Sequence, residues 1–144
     1  MIRISQLSKP DLEQMLPVFL QQTRDFEFND WTAVNFLSEM PYKWDLSIFA
    51  ESDRHPAGFS INSRKENALH IHYLFVFKDY RKLLLGNKMV TYCEKLAKKS
   101  NLSRLTLKCN FENYKAINFY FRNGFHIEEM ILDKKLYLMV RNIK

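Results

Sequence analysis

The chain has 144 residues, 47% of them hydrophobic and 15% aromatic, with a formal net charge of +6. That length and apolar content suit one packed domain over residues 1–144 and exclude a disordered chain. No run approaches the roughly 18 apolar residues of a membrane span, and the first residues lack the apolar segment of a secretory signal, so a cytoplasmic protein without membrane attachment is expected.

In chain order, residues 2–6 alternate as a short strand, and Lys9-Pro10-Asp11 opens a helix to about Leu20, with Leu12, Met15, Leu16 and Phe19 at helical spacing. The next stretch, RDFEFNDW, interleaves acids with aromatics in an otherwise basic chain. A helix over residues 31–39 follows and ends before Pro41. One reading has Asp30 or Asn29 capping that helix while the phenylalanines reach the core. The other is a substrate pocket, in which an amine cation sits among Asp25, Glu27 and Asp30 and over Phe26, Phe28 and Trp31. Residues 45–50 and 57–63 read as a hairpin around the turn 51–56, leading into a strand at 69–77.

The stretch 69–90, LHIHYLFVFKDYRKLLLGNKMV, is an apolar strand, a basic turn and a helix start without a break. First-turn N–H groups of a helix lack partners and carry the positive end of its dipole, so this order makes an anion site, with Arg81, Lys82 and Lys88 adding charge. His70 and His72, two apart on a strand, share a face. The helix carries Leu85, Met89, Cys93 and Leu96 on one side and Lys88, Lys95, Lys98 and Lys99 mostly on the other. A strand at 102–108, a helix at 113–123 stopped by Gly124, and a hairpin of 125–132 with 136–141 complete the chain. Cys93 and Cys109 read as small buried hydrophobes, and no metal site is expected. The sparing use of glycine points to excluded side chains: a bulge or close backbone approach at Gly58, room for a phosphate at Gly86, and a left-handed helix cap at Gly124.

The order of elements resembles the GNAT superfamily of N-acetyltransferases over nearly the whole chain. Arg81-Lys82-Leu83-Leu84-Leu85-Gly86 matches the first and last positions of that family's acetyl-CoA loop, with Leu84 replacing the middle glycine. Leu74-Phe75-Val76 matches its strand end. The later pattern of Asn113, Ala116, Tyr120, Gly124 and Phe125 is complete, and five positions in register make it the specific one. The resemblance implies an α+β sandwich: a mixed, mostly antiparallel sheet of six to seven strands flanked by about four helices, in the order β-α-α-β-β-β-α-β-α-β-β.

It also implies an acetyl-CoA-dependent N-acetyltransferase in which an amine attacks the thioester directly. The acceptor would be a small-molecule amine or a protein or peptide amine. Leu74, Phe75 and Val76 would pair with the pantetheine arm as an added strand. The N–H groups from Lys82 through Leu83, Leu84, Leu85, Gly86 and Asn87 to Lys88 would hold the pyrophosphate, Asn113 and Ala116 would flank the arm, and Tyr120 would protonate the leaving thiolate. His70, His72 or a water chain would be the base, an imidazole with a pKa near ~6.5 accepting a proton at neutral pH. A branched Leu84 in place of glycine leaves three consequences open: crowding of the pyrophosphate, weaker acetyl-CoA binding or a shifted loop. Cofactor binding is expected to survive, because the loop's N–H donors do not depend on that residue's identity. The competing reading is a non-catalytic acyl-CoA-binding or regulatory module, monomer or homodimer like the enzyme, that meets an acidic partner or nucleic acid through the basic helix face. Stacking aromatics on that face are sparse, Tyr92 being the obvious one, which disfavours nucleic acid.

Overall fold

Seven strands form one sheet in the order β1-β2-β3-β4-β5-β7-β6, in a computed structural model that describes residues 1–81 and 84–143. The strands are β1 (Ile2–Gln6), β2 (Ile48–Ser52), β3 (His55–Lys65), β4 (Ala68–Val76), β5 (Arg104–Asn110), β6 (His126–Ile131) and β7 (Leu136–Asn142). All neighbours are antiparallel except β4 and β5. A parallel pair needs a crossover, which α4 (Leu85–Lys99) provides. The expected mostly antiparallel α+β fold is borne out. Among the described residues there are five helices, where about four were expected.

The additional helix is α3 (Lys43–Leu46), a single turn where the sequence pattern suggested the start of a strand at Asp45. Its Lys43 is buried, and its Nζ donates to the carbonyls of Phe36 and Ser38 at 2.6 and 2.5 Å. These lie at the end of α2 (Ala33–Leu37), which is shorter than expected. The cap also differs. Thr32 caps α2, its N–H donating to Asn35 Oδ1 at 2.8 Å, while Asn29 accepts from the Tyr73 hydroxyl at 2.8 Å and from the Trp31 N–H. The first helix, α1 (Lys9–Thr23), starts where predicted, with the Ser8 hydroxyl accepting from the Asp11 N–H, and runs three residues past Leu20. No described helix is long and apolar enough to cross a membrane.

Each sheet face has its own core. Leu69, Ile71, Met89, Cys93, Leu105, Leu107 and Tyr120 cluster on the face covered by α4 and by α5 (Tyr114–Arg122). Phe19, Phe36, Phe59, Ile61, Phe75 and Phe77 cluster under α1 and α2. Strand β4 serves both by alternation, and a bulge changes which of its residues face which side. Ile61 pairs with Tyr73 but Asn62 pairs with Ile71, so His72 is the extra residue. An inserted residue reverses the alternation: Leu69 and Ile71 before it, and Leu74 and Val76 after it, all face α4.

The bulge lies where β4 and β5 separate. Their ladder runs from the Ala68–Arg104 pair to the Ile71–Leu107 pair, yet β4 continues to Val76 and β5 to Asn110. The outer edge of β4 past Ile71 is left without a strand beside it. Gly58 sits on the paired edge, where a Cβ would stand 2.7 Å from the Phe75 carbonyl oxygen; this is the close approach its isolation suggested. Gly124 takes φ +83° just past α5, with the Phe125 N–H donating back to the Tyr120 carbonyl.

Candidate active site

Two cavities open into the gap between β4 and β5, and they share Leu74, Asn113, Ala116 and Tyr120. The first, about 420 Å³, is lined by His70, His72, Tyr73, Phe28, Asp30 and Trp31, with Lys65, Lys108 and Cys109 on the neighbouring strands. The second, about 400 Å³, lies between the β4 end and the facing ends of α4 and α5. Tyr120 stands in the wall between them. It is buried, and burial pushes its phenol well above the ordinary value, so at neutral pH the hydroxyl is a proton donor.

In the first cavity the histidine rings lie 4.7 Å apart between centroids. His70, 5% exposed, meets the Thr106 hydroxyl through Nδ1 at 2.8 Å, and His72 Nε2 meets the Ser63 hydroxyl at 2.6 Å. Both are more enclosed than histidines on an open strand. Desolvation, then the charge of neighbouring groups, lowers His70 to about 3; desolvation, then Lys65, lowers His72 to about 4. Both rings are neutral acceptors at neutral pH and far weaker bases than free imidazole. Burial pushes the Cys109 thiol up to about 11, so it is not a nucleophile there. Cys93, buried against α4 and contacted by Asn62, is likewise raised to about 11.

The acidic aromatic segment divides. Phe28, Asp30 and Trp31 line the histidine cavity, Trp31 edge-on to Tyr73 at 5.3 Å. Asp25 and Glu27 instead border a separate hollow with Lys78 and Arg81. Phe26 rests against Phe75 and lines both that hollow and the second cavity.

In the second cavity, α4 begins with Leu84 as its N-cap residue, at φ 56° and ψ 22°, with no side-chain cap. The Leu84 side chain is 70% exposed. Leu85 is buried in the core, Asn87 Nδ2 donates to Asn123 Oδ1 at 3.2 Å, and Lys88 is exposed and not among the lining residues. Gly86 has a reason other than the expected one: a Cβ there would stand 2.9 Å from the Phe119 ring. Lys82 and Leu83 lie outside the described residues. The Arg81 Nε donates to the Val76 carbonyl at 2.9 Å, and its guanidinium lies 5.2 Å from the Phe75 ring centre. Asn113 caps α5, its Oδ1 accepting from the Ala116 N–H.

Residues 6–125 match the acetyltransferase (GNAT) family. The chain belongs to this family. An uncharacterized N-acetyltransferase of Methanocaldococcus jannaschii is 27% identical over 140 residues, covering 89% of this chain and 62% of the relative. The chain thus spans less than two thirds of that GNAT relative's length. Among solved GNAT structures, the ribosomal-protein-S18-alanine N-acetyltransferase of Escherichia coli superposes with a TM-score of 0.81 at 20% identity, over 100% of this chain and 95% of that one. The PaiA N-acetyltransferase of Thermoplasma acidophilum, solved with coenzyme A, gives 0.73 at 20% identity over 99% of both. These likenesses carry the GNAT fold.

Several lining residues escaped the sequence reading. Lys115, Phe119 and Arg122 line the second cavity, and their spacing of four and three on α5 places them on one helix stripe, a signal that was available. Tyr73, Lys65 and Lys108 line the first, and no motif marks them, because strand register alone brings them together.

Proposed function

We propose that this chain is an acetyl-CoA-dependent N-acetyltransferase that binds cofactor in the second cavity and a primary amine in the first. The observation that carries this reading is the shared wall: two cavities of similar size meet at Leu74 and Tyr120 beside an unpaired strand edge. The pantetheine arm pairs with the free edge of β4 from Leu74 through Phe75 to Val76. The uncapped first turn of α4, with the amides of Leu85, Gly86 and Asn87, receives the pyrophosphate. Arg81, Lys115 and Arg122 supply positive charge around it, and Asn113 and Ala116 border the arm. The PaiA N-acetyltransferase, of similar fold, was solved with coenzyme A, which supports a coenzyme A thioester as the donor here.

The neutral amine attacks the thioester carbonyl carbon, forming a C–N bond. The tetrahedral adduct then breaks its C–S bond, and the departing thiolate takes the Tyr120 proton. The nitrogen releases its proton to His70 or His72, directly or through water, and the depressed basicity of both rings makes them relays to solvent rather than stores. Asp30 and the face of Trp31 draw in the ammonium before it deprotonates. Calorimetry with acetyl-CoA, followed by thiol detection of CoA release across a panel of amines, tests the reading. Saturable binding and amine-dependent release are expected; absence of binding heat and of a thermal shift would refute it.

A further inference from the structure

The acceptor-side cavity has an electrostatic asymmetry that acetyl transfer alone does not require. Ser63 pairs with His70 and Lys65 with Ala68, so Ser63 and Lys65 share the histidine face of the sheet. On the other side His70 pairs with Thr106, and Lys108, two residues further along β5, shares that face. Both lysines line the cavity, flanking the two histidines from neighbouring strands. Among the described residues neither has an ion-pair partner. Asp30 is the one carboxylate among the lining residues, and it lies on the segment that packs on Tyr73 through Asn29 and Trp31. Tyr73 pairs with Ile61, four residues from Lys65 along β3, roughly 13 Å at strand rise.

Lys65 stands level with Ala68 and Lys108 one residue past the Ile71–Leu107 pair, on either side of His70, and with Asp30 on the segment packed on Tyr73 the cavity offers two cations and one acid to a dipolar molecule. Resting on the acetyltransferase reading above, we propose that the acceptor is a primary amine that also carries a carboxylate or phosphate. Lys65 and Lys108 hold the anion, and the Asp30 end, beside the wall shared with the cofactor cavity, takes the ammonium. Partial burial and the neighbouring Lys108 charge both lower the Lys65 pKa, and the two histidines between them are neutral, so nothing in the cavity floor offsets the paired positive charge. An anion between the lysines removes their mutual repulsion.

The test compares matched probes: β-alanine with β-alaninamide for the carboxylate, and phosphoethanolamine with ethanolamine for the phosphate. Binding to the protein is read by ligand-observed NMR, independently of turnover, and KM by CoA release. In at least one pair the anionic member binds tenfold or more tightly, about 1.4 kcal/mol, with the difference in KM and not in kcat. The pair that shows it identifies the anion. The preference shrinks as salt rises and falls to within twofold in the Lys65→Gln/Lys108→Gln variant, whose exposed positions leave the core intact. Equal binding within both pairs overturns the proposal, as does a preference that survives in the double variant. Failure to bind acetyl-CoA would defeat the acetyltransferase reading, while the NMR preference still decides this one.

Discussion

The two cavities are built by different means. The side proposed for the cofactor rests on backbone features, a strand edge left free where β4 and β5 part and an uncapped helix start, with side chains such as Arg81, Phe119 and Arg122 around them. The acceptor side is made of side chains gathered from β3, β4, β5 and the segment before α2. A backbone site needs particular residues only where geometry is unusual, so it leaves a short linear motif. A side-chain site depends on register between distant strands and leaves none. Tyr120 belongs to both, and replacing it tests whether the two cavities act as one site. Tyr120→Phe should lower kcat about 10²- to 10³-fold, the range for loss of a positioned acid, with KM for both substrates changed less than about threefold. A kcat within twofold of wild type would separate the cavities functionally and leave Tyr120 as a core residue.

The histidines sharpen the acceptor side. With His70 lowered to about 3 and His72 to about 4, neither titrates near neutrality. The acid limb of kcat/KM should therefore lie below pH 5, not at the ordinary imidazole value. The His70→Gln/His72→Gln variant should lose roughly tenfold in kcat/KM at pH 7, below the roughly 10²-fold low end for general acid–base groups because the rings are weak bases. An unchanged rate and profile would remove both from the reaction. Stability gives an independent reading. The unfolded chain binds protons at these rings below about pH 6.5, whereas the folded chain resists doing so until about 4 and 3, so stability falls as pH drops through that window. Thermal midpoints measured from pH 7 to 4 should fall more steeply for wild type than for the double variant.

The same division explains what could be read in advance. The five-position pattern ending at Gly124 and Phe125 exposed α5, its left-handed cap and Tyr120, because each follows from local chain geometry. The pairing of His70 with His72 was also legible from alternation. The bulge at His72 was not, and it alone keeps Leu74 and Val76 on the α4 side, beneath the cofactor cavity. Lys65 and Lys108 are 43 positions apart in sequence, and only the β3–β4 and β4–β5 registers bring them to one face. The segment 25–30 was too generous a reading: its acids alternate, but the chain turns through Phe26 and Asn29, which sends Asp25 and Glu27 elsewhere.

Leu84 is where the cofactor side breaks its own rule, because a branched residue occupies a backbone position suited to glycine. Its φ of 56° places it in the left-handed region, where a side chain costs roughly 1–2 kcal/mol. The side chain is 70% exposed and borders the second cavity, so the departure from the family pattern is expected to act through backbone strain more than by filling that cavity. Leu84→Gly removes the strain but adds freedom to the unfolded chain, a loss of about 0.4–1 kcal/mol. The net gain should be at most about 1.6 kcal/mol, a rise of no more than roughly 6 °C in the thermal midpoint for a chain of this size. Affinity for acetyl-CoA should rise no more than a few-fold, since the amides of α4 already face the cavity without a cap. A tenfold or greater gain in affinity by calorimetry, without a matching rise in the midpoint, would mean that the leucine side chain obstructs the cofactor after all. The cofactor cavity would then depend on side chains as much as the acceptor cavity does.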